Sequence, residues 1–289
     1  MSDERLAVRK TYKLYIGGAF PRSESGRSYV VSDSDGAFLA NAAHGSRKDV
    51  RDAVVAARKA QPRWSGATAY NRGQVIYRVA EMLDGRRSQF ADEVASSEGT
   101  SRDEATASVD AAVDRLVWYA GWADKLAQVA GSSNPVAGPF FNFSVPEPTG
   151  VVGVVCPQSS SLLGLVSVLA PVIVTGNTSV VLASETRPLP AITLAEVLAT
   201  SDVPGGVVNL ITGMVAELAP GLAAHRDVDA LDLAGAPSSL LAELERAAVT
   251  NVKRVLRPDN RESDWTKAPT PRRMLAFLET KTVWHPIGL

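Results

Sequence analysis

From residue 151 to residue 256 the chain repeats one pattern: a short run of Val, Ile and Leu, a stretch of helix length, then another short apolar run. The runs 151–155, 178–182, 207–211, 230–233 and 252–256 have strand length and β-branched content. Helix-length segments at 162–174, 189–199, 216–224 and 238–248 separate them. A strand buried on both faces reads as an unbroken apolar run. A strand that returns through a helical crossover must lie parallel to the one before it. With right-handed crossovers, this pattern predicts an α/β fold: a Rossmann-like, doubly wound parallel sheet.

Upstream the pattern differs. Lys13 to Phe20 predicts a short strand running into the Gly17-Gly18 turn, with 28–31 as its hairpin partner. Ser46 stands three residues before Asp49, an N-cap signature, and Val50, Ala53, Val54 and Ala57 follow at the spacing of one helix face. A second helix is expected over 72–83, with Val75, Val79 and Met82 inward, and a third over 110–129, with Val113, Leu116, Val117 and Ala120 as its stripe. Trp118, Tyr119 and Trp122 read as packing for that stripe. Between Gly131 and Gly150 come Pro135, Pro139, Pro146 and Pro148 and an extended run over 140–145, too apolar for a solvated hairpin. That run is the first candidate for subunit contact.

Composition excludes several function classes. The formal net charge is −1 and the basic residues are scattered, so nothing points to nucleic acid. The single cysteine, Cys156, excludes internal disulfides and a thiolate zinc cage. His44, His225 and His285 follow no ligand spacing. The start, Met1 to Lys10, is too polar for a signal peptide, and the apolar stretch 162–174 is too short to span a bilayer. The expectation is a soluble cytoplasmic protein with no membrane partner and no metal.

Eight motifs stand in order along the chain: Leu14-Tyr15-Ile16-Gly17-Gly18; Tyr119-Ala120-Gly121-Trp122-Ala123; Glu147-Pro148-Thr149-Gly150-Val151-Val152-Gly153-Val154; Gly176-Asn177-Thr178; Ser184-Glu185; Pro204-Gly205-Gly206-Val207-Val208-Asn209; His225-Arg226-Asp227-Val228-Asp229; and Lys281-Thr282-Val283-Trp284. Together they resemble the aldehyde dehydrogenase superfamily. Enzymes of that family use a cysteine thiolate as nucleophile, a glutamate as general base and NAD(P) as hydride acceptor. An asparagine side chain and the cysteine backbone N–H hold the oxyanion. Such groups act as a unit.

Against that pattern the chain departs widely. Val255-Leu256 runs into a polar, proline-bearing linker, 257–273, where the family carries its catalytic domain. The expected organisation is therefore a cofactor-type domain with a helical N-terminal part over 1–131 and 149–256. An oligomerisation hairpin and C-terminal strand cover 132–148 and 274–289, and the catalytic domain is absent. The oxyanion asparagine is replaced by Ser159 in Pro157-Gln158-Ser159, the ribose-binding lysine by Leu182, and the glycine beneath adenine by Val215. Pro237 follows the Leu233-Ala234-Gly235-Ala236 turn and removes an N–H from a helix start that would face phosphate. The resemblance leaves Ser184, Glu185, Gly213 and Gly235 as cofactor-binding positions and assigns no catalytic residue.

Cys156, preceded by Val154-Val155, reads as a buried, inert thiol. Ser159-Ser160-Ser161 reads as a helix cap, and Glu98-Gly99-Thr100 as a structural turn. The pieces that build the family's oligomerisation sheet are retained: Phe140, Phe141, Phe143 and Val145 in the hairpin, Val283 and Trp284 in the closing strand. The expected function is a non-catalytic subunit, a pseudoenzyme that assembles with itself or with a full-length NAD(P)-dependent aldehyde dehydrogenase. It resembles the nucleophile-lacking second unit of tandem-domain members. The alternatives are a residual, weak NAD(P)-binding module, or oxidoreductase activity completed in trans by a partner.

Overall fold

A computed structural model of the chain describes residues 10–258 and 263–288. The polar start read at 1–9, linker residues 259–262 and Leu289 lie outside them.

The first hairpin differs from the expected one. Tyr15 bridges Leu210, at the edge of the main sheet, in antiparallel fashion, and Tyr12 bridges Ala42. Strand β1 (Ser28–Ser32) pairs instead with β2 (Phe38–Ala43), which the sequence pattern did not reveal. Segment 13–20 is unavailable to β1 because the backbone of Tyr15 already exchanges hydrogen bonds with Leu210, at 2.8 and 2.9 Å. The Asp33 carboxylate accepts from the Asp35 and Ala37 amides and closes the β1–β2 turn.

Helix α1 (Arg47–Gly66) opens with the expected cap. Ser46 and Asp49 form a reciprocal capping box, a device worth about 1 kcal/mol. Val50, Ala53, Val54 and Ala57 are all buried. In α2 (Ala69–Asp84) the buried line is Gly73, Ile76, Val79, Ala80 and Leu83, so Val75 and Met82 flank the core. Helix α3 (Arg87–Glu98) was not anticipated, because its buried Phe90, Ala91, Val94 and Ser97 are mostly small and its other positions polar. Helix α4 (Arg102–Trp122) starts earlier than expected, at a Ser101–Glu104 capping box. Its buried line runs through Ala105, Val109, Ala112, Arg115, Leu116 and Tyr119 and leaves Val117 exposed. A single turn, α5 (Leu126–Ala130), ends the helical part.

The hairpin of β3 (Ser132–Asn134) and β4 (Phe140–Pro148) leads into the repeating region. There the elements are β5 (Val151–Val155), α6 (Leu163–Val174), β6 (Thr178–Leu182), α7 (Leu189–Ala199), β7 (Val208–Ile211), α8 (Val215–Ala224), β8 (Ala230–Asp232), α9 (Ser238–Ala248) and β9 (Arg254–Leu256). Helix α10 (Arg272–Ala276) and strand β10 (Leu278–Pro286) follow.

The strand order is β7-β6-β5-β8-β9, every pair parallel. This is the doubly wound α/β sheet that the alternation predicts. Strand periodicity divides its side chains between two cores. Val152, Val154 and Val181 join α6, α7 and the α2–α4 helices, whereas Val151, Val155, Val180 and Leu182 join α1, α8 and α9. Each fully buried valine contributes about 1.5–3 kcal/mol.

A second sheet has the order β10-β4-β3, antiparallel throughout, with Phe140 opposite Pro286 and Pro148 opposite Leu278. Asn177 fastens the two sheets together. Fully buried, it accepts from the Gly150 amide at 2.7 Å and donates to the Phe277 carbonyl at 2.9 Å. That places the start of β5 and the entry to β10 on one side chain.

Candidate functional site

In an open parallel sheet the crevice forms beyond the carboxyl ends of the strands where the winding reverses. Here the reversal lies between β5 and β8, which flank each other at the centre of the sheet. The loops after β5, β6, β7 and β8 meet at this edge and bring Ser184, Glu185, Gly213 and Gly235 to it.

Gln158 ties the first two loops. Its side-chain amide donates to the Cys156 carbonyl at 2.7 Å and accepts from the Glu185 amide at 3.0 Å. The Ser184 hydroxyl donates back to the Gln158 carbonyl at 2.9 Å and accepts from the Arg187 amide at 3.2 Å. Arg187 reaches over to the Ser159 carbonyl. The Glu185 carboxylate accepts from the Val215 amide, the first of α8, where a helix dipole favours an anion. Its charge, after burial, holds the buried Tyr29 phenol above its ordinary range.

Gly235 marks the tightest approach. A Cβ placed there would sit 1.6 Å from the Cys156 carbonyl oxygen, and its amide donates to the Val155 carbonyl at 2.9 Å. Glycine is required so that the β8 loop can lie against the β5 loop. Gly213, at φ +143, lies against Gly45 and His44. The four positions thus share one edge, and the polar atoms of Ser184, Glu185 and Gly235 bond to the protein's own loops.

Cys156 is 2% exposed, and burial pushes its thiol well above the ordinary range, with the Asp232 charge adding to the shift. A thiol held in that form is a poor nucleophile. The serine run does not supply the N-cap of α6, which is Leu162, but Ser160 satisfies one of its first amides. Ser160 accepts from the Gly164 amide at 2.9 Å, while Ser161 donates its amide and hydroxyl to Glu98, each at 2.6 Å. That second pair gives the Glu98 turn its structural role. Among the described residues, no group of three or more His, Cys, Asp or Glu side chains is placed to hold a metal. No helix among them is long and apolar enough to cross a membrane.

Sequence reasoning missed Gln158 as the clip between loops, having treated it only as a departure from a family motif. It also missed the approach of Tyr29 and His44, stacked edge to face at 5.9 Å, because β2 was not read. A polar residue immediately after a strand-ending Cys-Pro was the available signal for Gln158.

The three-stranded sheet carries the other predicted residues. Phe140, Phe141 and Trp284 are 39%, 49% and 58% exposed, while Phe143, Val145 and Val283 are half-buried. Phe140 meets Trp284 edge-on at 5.7 Å and Phe141 lies 5.3 Å from Phe143. Register sets Phe140 and Trp284 on one face and Phe141, Phe143, Val145 and Val283 on the other, so both faces carry apolar surface.

Residues 20–257 match the aldehyde dehydrogenase family. Cytosolic aldehyde dehydrogenase 1 of Elephantulus edwardii is 31% identical over 253 residues, covering 84% of this chain and 49% of the relative. Human cytosolic 10-formyltetrahydrofolate dehydrogenase is 29% identical over 263 residues, covering 88% of this chain and 29% of that protein. Among solved structures, the NAD+ complex of an aldehyde dehydrogenase from Bacillus cereus superposes with a TM-score of 0.79 at 25% identity, covering 85% of this chain and 50% of that one. The chain spans about half the length, or less, of the relatives it matches.

Proposed function

The chain belongs to the aldehyde dehydrogenase family, and from that premise we propose that it serves as a subunit without chemistry of its own, assembling through its three-stranded sheet with a full-length member of the family. It plays the part that the nucleophile-lacking unit plays in tandem-domain members. The observation that carries this reading is the exposed aromatic surface of β4 and β10: Phe140 and Trp284 stand in solvent on one face of the sheet and Phe141 on the other. Exposed aromatic surface of this kind is characteristic of interfaces.

Two further observations support it. Only residues 257–277 separate β9 from β10, too few for a second folded domain. And the residues at the sheet's carboxyl edge fit a dinucleotide poorly. Glu185 is engaged by α8, Val215 is buried at that helix start, Pro237 supplies no N–H at the start of α9, and the Gly235 amide is taken.

Native mass spectrometry of the chain mixed with a full-length aldehyde dehydrogenase at micromolar concentration tests the proposal. Mixed oligomers are expected. A clean monomer beside that enzyme would sink it.

A second reading, a residual nucleotide-binding module, rests on Glu185 and Ser184 standing at the sheet's carboxyl edge and on the likeness of the chain to an aldehyde dehydrogenase from Bacillus cereus solved as an NAD+ complex. Calorimetry with NAD+ and NADP+ separates the two readings, since heat at millimolar cofactor or below favours the second.

A further inference from the structure

Apart from the sheet edge and the aromatic sheet, the molecule holds a cleft between the segment 263–273 and helices α4 and α6, lined by Arg115, Tyr119, Ser167, Trp265 and Lys267 among others. Its charge balance is unusual. Arg115 is 7% exposed. Its guanidinium donates to the Ser167 hydroxyl at 2.7 Å and to the backbone carbonyls of Trp265 and Lys267 at 2.8 and 2.7 Å. Its Nε is buried with no partner. Every acceptor is neutral, and among the described residues no carboxylate pairs with it. A guanidinium stays charged in proteins, and a buried charge without a counter-ion is costly. Burial draws the Arg115 pKa below its ordinary value, the direction expected of an uncompensated cation.

Arg257, Arg272 and Arg273 also border the cleft, and each has a partner of its own. Arg257 pairs with Glu245, and Arg273 pairs with the fully buried Asp232. Lys267 adds a further cation to the wall. Asp264 is the only acidic side chain among the described lining residues, and its carboxyl is held down first by hydrogen bonds from Thr266 and only lastly by Lys267. Among the described residues the wall therefore carries excess positive charge, concentrated at Arg115 and Lys267. Flat apolar surface lies beside it. Trp265 stacks beneath the Arg273 guanidinium at 5.1 Å, and the Tyr119 phenol, pushed up to about 12 chiefly by burial, stays neutral.

We propose that this cleft is a site for a small anion, a phosphate or carboxylate group, held by the charge of Arg115 and Lys267 with Trp265 as its flat wall. Its volume of about 170 Å3 suits a group of that size and is too small for a dinucleotide. The inference does not rest on the subunit reading, because none of the cleft's described lining residues lies in β4 or β10. An anion here would supply the counter-charge that Arg115 lacks and would brace the segment against α4. The site would therefore couple ligand binding to the order of the region just before β10.

The test uses the full chain at fixed ionic strength, with sodium phosphate and sodium benzoate as separate probes against sodium chloride. Tryptophan fluorescence and thermal unfolding are both followed. A saturable fluorescence change with at least one probe is expected, accompanied by a rise in Tm and lost in Trp265→Phe. A response to phosphate alone assigns phosphate-bearing ligands, and one to benzoate alone assigns carboxylates. Lys267 is exposed, so Lys267→Gln keeps the fold, and it is expected to weaken the response about tenfold. Arg115→Lys, which keeps the charge but not the fork, is expected to weaken it further. If neither probe exceeds chloride, or if Lys267→Gln binds as tightly as the parent, Arg115 is only an anchor for segment 263–273 and the proposal fails.

Discussion

At the carboxyl edge of the parallel sheet, Gln158, Ser184 and Glu185 commit their polar atoms to one another's loops and to the start of α8. On the three-stranded sheet, β4 is paired along its whole length with β10 while Phe140, Phe141 and Trp284 face solvent. One region is closed by its own hydrogen bonds and the other is left open at its apolar surface. Ligand sites have the reverse arrangement, with polar groups waiting for a partner, and subunit faces have apolar surface waiting for one. The contrast favours assembly over cofactor chemistry, and it can be broken at either end.

The largest effect is expected at Gly235. Valine there would drive a Cβ into the Cys156 carbonyl, so the β5 and β8 loops must separate. Overpacking of this severity should cost about 3 kcal/mol or more, read as a lower denaturation midpoint at unchanged slope. A loss below about 1 kcal/mol would mean that the edge yields readily, as an open ligand crevice would.

Phe141→Asp combined with Trp284→Ala attacks the other region. Association with itself or with a full-length relative should weaken about 100-fold, roughly 2.7 kcal/mol, while the isolated chain keeps its stability. Equal loss of both would make the aromatic surface part of the chain's own core and remove the contrast. Sedimentation equilibrium beside urea unfolding separates these outcomes.

Asn177→Ala cuts the link between the regions and leaves the Gly150 amide and Phe277 carbonyl without their buried partner. The expected loss is about 2 kcal/mol. If the two sheets are energetically separate, hydrogen exchange will rise in β10 and β4 and stay slow in β5 and β6. Uniform acceleration would make them one cooperative unit.

How far these regions were legible in the sequence differs for a physical reason. The parallel strands were read almost to their ends because double burial writes itself as unbroken Val, Ile and Leu. The β1–β2 hairpin was mispaired because β2, Phe-Leu-Ala-Asn-Ala-Ala, is rich in small residues that lack strand character. Its place is set by the hydrogen bond from Ala43 to the Tyr12 carbonyl and, just beyond it, the one from His44 to the Arg27 carbonyl. Helix α3 was missed for a similar reason, since its buried line is mostly small. The aromatic strand was legible because the run over 140–145 is more apolar than its surroundings explain. At the sheet edge, sequence located Ser184, Glu185, Gly213 and Gly235 together. It did not reveal that Gln158 and the Val215 amide already engage Ser184 and Glu185, which only three-dimensional proximity between loops distant in sequence displays.

The smallest effect, and the finest test of closure, uses Cys156 as a reporter. Burial holds its thiol in the neutral form, so alkylation must pass through an opened edge in which the thiol returns to its ordinary pKa. The labelling rate at fixed opening should rise with pH through the ordinary thiol range. The sign for stability follows from the same shift. A raised folded-state pKa contributes stability that is whole below the unfolded thiol's pKa and is lost as pH climbs past it. Cys156→Ser should flatten that alkaline decline. Gln158→Ala removes the hydrogen bond to the Cys156 carbonyl and the one from the Glu185 amide, at a cost of about 1 kcal/mol. Labelling of Cys156 should then quicken about five-fold at constant pH. If it does not, the edge opens by a route that Gln158 does not guard, and the closure ascribed to this loop belongs to the Gly235 contact alone.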